Sequence, residues 1–458
     1  MRRELGAAGP DDSRRGATSP NATPVDADHA LVAFFRGERV AVLATLIRDA
    51  RGDFDAAEDA LAEATSRAVE RWRAVGVPDR PGAWMLTAAR RILIDRARRV
   101  SRNDVALDAE QHASAIAIGE TAADTTPADT PPTLARDDRL TLLFTCCHPS
   151  LSRPAQLALA LRTIGGLSTR EIARAFLEPE ATTAQRLVRA TRKIRDARVP
   201  YRVPSASELP SRLDVAREAL YLVFNEGYGA TAGDVYLRDA LADDAIRLAR
   251  LVVTLTPDDP ESLGLLALML LHHARGPARL DATGAIVPLE EQDRTRWIRT
   301  FIREGEHLLD RAIARQQAGP YQLQAAISAL HDTSPTAAAT DWRQIALLYG
   351  ELRLWIPTPV VELNAAVALA MVHGPDWGLA QLDALVLERG MAEYHLLPAA
   401  RADLLRRAGR YEDAAFACRD AIRLARSRAE RLYLERRLAE VEAAAARDAG
   451  PQELNFTF

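Results

Sequence analysis

Apolar positions recur every three to four residues through most of this chain and almost nowhere alternate strictly. In "DFDAAEDALAEATSRAVERW", Ala57, Leu61, Ala64, Ala68 and Trp72 form one stripe, which is the period of an amphipathic helix. The stretch after it places Met85, Ala88, Ala89 and Ile92 on a second stripe. Leu157, Ala160, Leu161 and Ile164 make a third, and Leu187, Ala190 and Ile194 a fourth. The pattern predicts helical blocks over about Ala30–Val100, Leu134–Tyr201 and from Ser211 onward. Between them the periodicity fails. Residues 1–27 are rich in Gly, Pro, Asp and Ser, residues 101–133 hold "AADTTPADTPP", and "YRVPSASELP" is a third break. Such composition reads as a disordered leader, a linker and a turn. An all-α protein is expected, with a domain over 28–100, a linker over 101–133, a second domain over 134–202 and a helical array over 211–458.

Composition sharpens this picture in three places. A length of 458 residues exceeds one ordinary domain. The net charge of −4 is unevenly spread: Leu151–Arg202 holds eleven basic residues against four acids, a local +7 that leaves −11 for the rest. That asymmetry points to a nucleic-acid contact, the bland alternative being a solvated basic helix face. Three cysteines, two adjacent in "CCH" at Cys146–His148, make neither a disulfide framework nor a four-ligand zinc site, so buried thiols in a reducing cytosol are expected. The polar start predicts no secretory signal, and the longest apolar run, Leu263–Leu271, is too short to span a membrane. A cytoplasmic location is expected, without membrane association.

The basic segment carries a recognisable local grammar. Ser168 and Glu171 form S-x-x-E, a capping box that starts a helix. Ile172, Ala173 and Phe176 share its inner face, and Pro179 ends it. Thr182 or Thr183 is expected to cap the next helix, on which Gln185, Arg186, Arg189, Arg192 and Lys193 lie away from the apolar stripe. Two short helices with an arginine-bearing second one follow helix-turn-helix logic, in which the second helix enters the major groove. A purely structural hairpin is the alternative.

The first block has its own polarity. Asp55, Asp59 and Glu63, with Glu58 beside them, sit at i, i+4, i+8 off the apolar stripe. Acids near a helix start also complement the helix dipole by default. After "GVPDRPGAW" comes a basic helix with Arg90, Arg91, Asp95, Arg96, Arg98 and Arg99 on its surface; Trp84 reads as a core residue.

In this order, "DFDAAEDALAEA…RW…VPDRPGAWMLTAARRILIDRARR", then "LTLLFTCCHPSLSRPAQLALALRTIGGLSTREIARAFL", the chain resembles the extracytoplasmic-function group of RNA polymerase σ factors. The first block is similar to their second conserved region and 134–202 to their fourth, the third being missing as in that group. The resemblance implies that Asp55, Glu58, Asp59 and Glu63 dock on core RNA polymerase. It implies that Arg80, Arg90, Arg91, Asp95, Arg98 and Arg99 serve the −10 element of promoter DNA. Thr183, Gln185, Arg186, Arg189 and Arg192 would read the −35 element.

Residues 211–458 exceed a minimal σ factor. "RRAGRYEDAAFACRDAI" sets Gly409, Tyr411, Ala414 and Ala421 in a pattern that resembles a tetratricopeptide hairpin. With "YLVFNEGYGAT", "LDATGAIVPLEEQDRTRW" and "GPYQLQAAISALH", this half resembles the large C-terminal extension of one σ subgroup. "FNEGYGAT" has one carboxylate, Glu226, without a paired base, nucleophile or metal set, and reads as a turn or interdomain contact. No catalytic residue, metal or cofactor is expected, and the size of the extension points to regulation through intramolecular contact or a protein partner. Two functions stay open: an alternative σ factor with a regulatory extension, or a tetratricopeptide-bearing helix-turn-helix regulator that never joins polymerase.

Overall fold

A computed structural model of the chain describes residues 24–104, 137–176, 178–229, 236–386, 391 and 394–448. The fold is all-α, and among these residues the one β feature is an isolated antiparallel bridge, Leu280 to Ile286. The expected linker over 101–133 falls outside the described residues from 105 on, as does nearly all of the leader. No helix among the described residues is long and apolar enough to cross a membrane.

The chain divides into two compact units that interleave in sequence. One joins residues 1–126 with 188–202, the other 127–187 with 203–458. In the first unit α1 (Pro24–Gly37), α2 (Arg39–Asp49), α3 (Phe54–Val75) and α4 (Pro81–Asp104) surround a core of Phe34, Leu43, Leu46, Ile47, Trp72 and Met85. The α3 stripe is buried from Ala57 to Trp72. Asp53 starts that helix by accepting from the Ala56 amide at 3.0 Å, a cap contributing about 1 kcal/mol. Gly76 ends it at φ 101°, where a side chain would be strained. On α4, Met85, Ala89 and Ile92 are buried while Ala88 is only partly so, and Trp84 is half-buried edge-on against Trp72 at 5.5 Å between ring centres.

The second unit begins with α5 (Asp138–Cys146), α6 (Arg153–Thr163) and α7 (Thr169–Ala175), followed by α8 (Glu180–Asp196), whose later turns belong to the first unit. It continues through α9 (Pro210–Tyr228), α10 (Asp239–Leu255), α11 (Pro260–Ala274), α12 (Arg299–Ile313) and α13 (Pro320–Thr333). Then come α14 (Trp342–Trp355), α15 (Pro359–His373), α16 (Pro375–Leu385), α17 (Leu396–Arg407), α18 (Tyr411–Leu424) and α19 (Arg428–Asp448). The run Leu263–Leu271 is buried throughout, because α11 has packed helices on every side rather than on one face. Gly409 has φ 74° in the turn between α17 and α18, and Ala414 and Ala421 are fully buried where α18 packs. "LDATGAIVPLEEQDRTRW" is an irregular crossing between α11 and α12, stiffened by the Asp281 carboxylate accepting from the amides of Thr283 and Ala285.

Candidate nucleic-acid interface

On α3 the acids occupy the surface opposite the buried stripe. Asp55 and Asp59 are exposed, and Glu58 and Glu63 are half-exposed. The face is not bare. Arg96, which sequence places on the basic surface of α4, reaches back to Asp59 at 3.2 Å and Glu63 at 3.1 Å, while Arg67 meets Glu63 at 2.5 Å. Desolvation works against the Glu63 charge, but hydrogen bonds from Arg67 and Arg96 outweigh it and hold its carboxyl below the ordinary value. Asp55 lies 3.6 Å from Arg195, in the later turns of α8 that belong to the same unit. Nearby, the Tyr201 hydroxyl donates to the Ala44 carbonyl at 2.9 Å. Ion pairs this exposed contribute about 0–1 kcal/mol each.

On α4 and the loop before it, Arg80, Arg91, Asp95, Arg98 and Arg99 are exposed, and Arg90 is exposed yet engaged with Asp49 at 2.7 Å. The basic surface therefore keeps four guanidinium groups facing solvent along one helix and its entry.

The two short helices around Pro179 carry most of the local features that their sequence signals predict. Ser168 accepts from the Glu171 amide at 3.2 Å and Glu171 accepts from the Ser168 amide at 2.8 Å, closing the capping box. Ile172 and Ala173 are buried, as are Leu187, Ala190 and Ile194 on α8. One detail differs. The second helix starts at Glu180, directly after Pro179, so neither Thr182 nor Thr183 is its cap. Thr183 sits inside the first turn, fully buried, and its hydroxyl donates to Glu178 at 2.5 Å.

The −35 candidates thus separate into two groups. Gln185, Arg189 and Arg192 are exposed, with Lys193 and Arg195 extending the same basic surface. Thr183 and Arg186 face Glu178 instead. Arg186 donates from both terminal nitrogens to the two Glu178 oxygens and lies 5.6 Å over the Phe176 ring. Those hydrogen bonds, chiefly from Arg186, hold the Glu178 carboxyl below the usual range. Sequence reasoning missed Glu178 as the buttress. Its position just before Pro179, in the turn facing the second helix, was the available signal.

The expected burial of the cysteines is observed: Cys146, Cys147 and Cys418 are buried, with free thiols. Burial pushes the Cys146 thiol up to about 12 and raises Cys147 well above the ordinary value. His148 turns to Ser150 at 2.9 Å, and no cluster of metal-ligating residues occurs among the described residues.

Within the second unit the first helices of this module are braced by the extension. Arg139 on α5 pairs with Asp244 on α10, and Arg247 on α10 meets Asp137 at 3.1 Å. Arg153 on α6 pairs with Glu218 on α9, and Arg238, just before α10, meets Glu171 at 2.7 Å.

Comparison with known proteins bears on those bracing helices. Residues 212–313, spanning nearly all of α9 and running to the end of α12, match a family of unknown function, DUF6596. Over 389 residues the chain is 43% identical to an uncharacterized protein of Rhizobium meliloti (strain 1021), covering 84% of this chain and 90% of that protein. The chain belongs to that protein's family. No solved structure matches. The segment that matches that family of unknown function contains Glu218, Arg238, Asp244 and Arg247, which pair with residues at α5, α6 and α7.

Proposed function

We propose that the chain is an alternative σ factor of the extracytoplasmic-function type. It binds core RNA polymerase through the acidic face of α3, engages the −10 element through the basic surface of α4, and reads the −35 element through α8. The observation that carries this reading is the pairing of two oppositely charged surfaces on one small helical unit, Asp55 and Asp59 exposed on α3 and Arg91, Arg98 and Arg99 exposed on α4, in a chain that also holds a capping-box helix followed across Pro179 by an arginine-bearing one. A DNA-binding regulator needs the second module but has no use for the first acidic face. At −35, Gln185, Arg189 and Arg192 offer amide and guanidinium donors at the start and middle of α8, the chemistry that pairs with adenine and guanine edges in a major groove. Arg186, held flat by Glu178, is preorganised rather than free, which favours a single rotamer over a searching side chain.

The rival reading draws on one observation. Arg96 neutralises part of the acidic face by pairing with Asp59 and Glu63, so that surface has a structural duty of its own. Run-off transcription with core polymerase and the full-length chain on genomic fragments separates the two readings. Discrete start sites are expected, and double charge reversal, Asp55→Arg with Asp59→Arg, is expected to abolish polymerase binding. DNA binding without any polymerase association would overturn the σ reading in favour of the regulator.

A further inference from the structure

The segment "FNEGYGAT" takes no part in the proposed function, and the structure gives its first residues a task. Glu226 is buried at 6% exposure near the end of α9, and its Oε1 lies 3.3 Å from Nη1 of Arg238. Gly227 holds the same residue by its backbone: the Arg238 amide donates to the Gly227 carbonyl at 2.8 Å. A Cβ on Gly227 would stand 2.5 Å from the Ala242 nitrogen, so only glycine lets the start of α10 come this close. Gripped from both sides, Arg238 directs its other nitrogen, Nη2, to Glu171 at 2.7 Å. Glu171 is the residue that closes the capping box of α7. Burial alone would raise its carboxyl; hydrogen bonds from Arg238 and Ser168 overcome that and hold it below the ordinary value.

One guanidinium therefore spans two carboxylates, one in the family segment and one at the first turn of the helix-turn-helix. Arginine suits this task because its planar fork presents separate donors at a fixed angle, which a lysine ammonium does not. The remaining braces sit farther back, on α5 and α6. Arg238 is the one that grips α7, the helix directly before the DNA-reading turn.

We propose that Arg238 is a positioning residue: held by Glu226 and Gly227, it fixes the start of α7 and thereby the pose from which the first turns of α8 meet duplex DNA. This rests on the reading that α8 contacts the −35 element, and the test keeps the two apart. Hydrogen exchange on the full-length chain, without DNA or polymerase, reads the grip alone. In Arg238→Ala the amides of α7 should exchange about tenfold faster, the scale of one charge-assisted hydrogen bond, while those of α3 stay as in the wild type. With core polymerase, the second readout is the ratio of open-complex yield on an intact against a scrambled −35 element. Arg238→Ala should bring that ratio several-fold closer to one with polymerase affinity unchanged, and Arg238→Lys should fall between. Leu382→Ala, a core truncation in α16 far along the chain, lowers stability without touching the grip and should leave the ratio alone. Unchanged exchange in α7, or an equal loss of discrimination in Leu382→Ala, would overturn the proposal. A wild type that shows no −35 dependence would remove the DNA role, and the exchange result would still decide whether Arg238 holds α7. Should Arg238→Ala fail to fold, Arg238→Lys carries both readouts.

Discussion

Burial decides the chemistry of single residues here more than identity does. Adjacent cysteines in "CCH" invite thoughts of metal or redox chemistry, but desolvation pushes Cys146 up to about 12, raises Cys147 well above the ordinary thiol value, and lifts Cys418 to about 11. Since the thiolate is the reactive form, a maleimide or aromatic disulfide reagent at pH 8 should label none of the three in the native chain and all three in denaturant. A second case lies in α13, where His331 and Asp332 are neighbours with opposite behaviour. Burial lowers His331 to about 4 and raises Asp332 to about 6, with Arg275 and Arg294 near both. A histidine kept neutral by the fold costs stability as pH falls from about 6.5 to 4, because only the unfolded chain takes up the proton. A carboxylate with a raised value does the reverse, gaining stability as pH falls from about 6 to 4. Each swing is about 3 kcal/mol at most, and the two offset. Asp332→Asn should therefore make the melting temperature fall more steeply between pH 6.5 and 4 than in the wild type. A parallel pair of curves would show that the Asp332 shift is not realised.

At the scale of elements, periodicity located the helical blocks and the capping box located the start of α7, since both are set by neighbours in sequence. The capping box of α7 and the buried stripes of α3 and α8 were legible for that reason. The start of α8 was not, because Thr182, Thr183 and Glu180 all follow Pro179 and any could begin a helix; the partner of Thr183, Glu178, is fixed by the angle between α7 and α8. Two outcomes belong here. Gly227→Ala should destabilise by about 1–3 kcal/mol, since the intruding methyl meets backbone at Ala242 that cannot swing aside; thermal melting checks this. On α8, Arg189→Ala and Arg192→Ala remove exposed cations. Each should lower the salt slope of duplex binding by about one if it contacts phosphate, or relax preference at one base pair if it contacts a guanine edge.

The whole molecule places the greatest weight on the family segment. Residues Ala155–Leu161 of α6 are buried nearly all round, and Gly165 after it sits against Val223 of α9. Arg212, buried in the first turn of α9, donates to the Phe144 carbonyl at 3.4 Å. A chain ending at residue 210 would lose these partners and present apolar faces of α5 and α6 to water. Trypsin should cut such a truncated chain rapidly within residues 137–176 and spare that stretch in the full-length protein. Equal protection would mean that the first helices stabilise one another unaided. This bears on any deletion used to ask whether the extension inhibits or activates, because loss of activity on truncation would report a damaged helix-turn-helix before it reported regulation.

By itself the sequence determined the all-α class, the helical blocks, the capping box, the burial of the cysteines and the acidic and basic faces of α3 and α4. Each of these depends on residues within a few turns of one another, where spacing translates directly into a shared face. Tertiary structure alone decided that Arg96 crosses to the acidic face, that Arg186 is buttressed by Glu178, and that Arg238 links Glu226 to Glu171. Those partners stand 33 to 37 residues apart for Arg96 and 67 for Arg238 and Glu171. No local period encodes such separations; only the packing of whole helices brings the charges within reach.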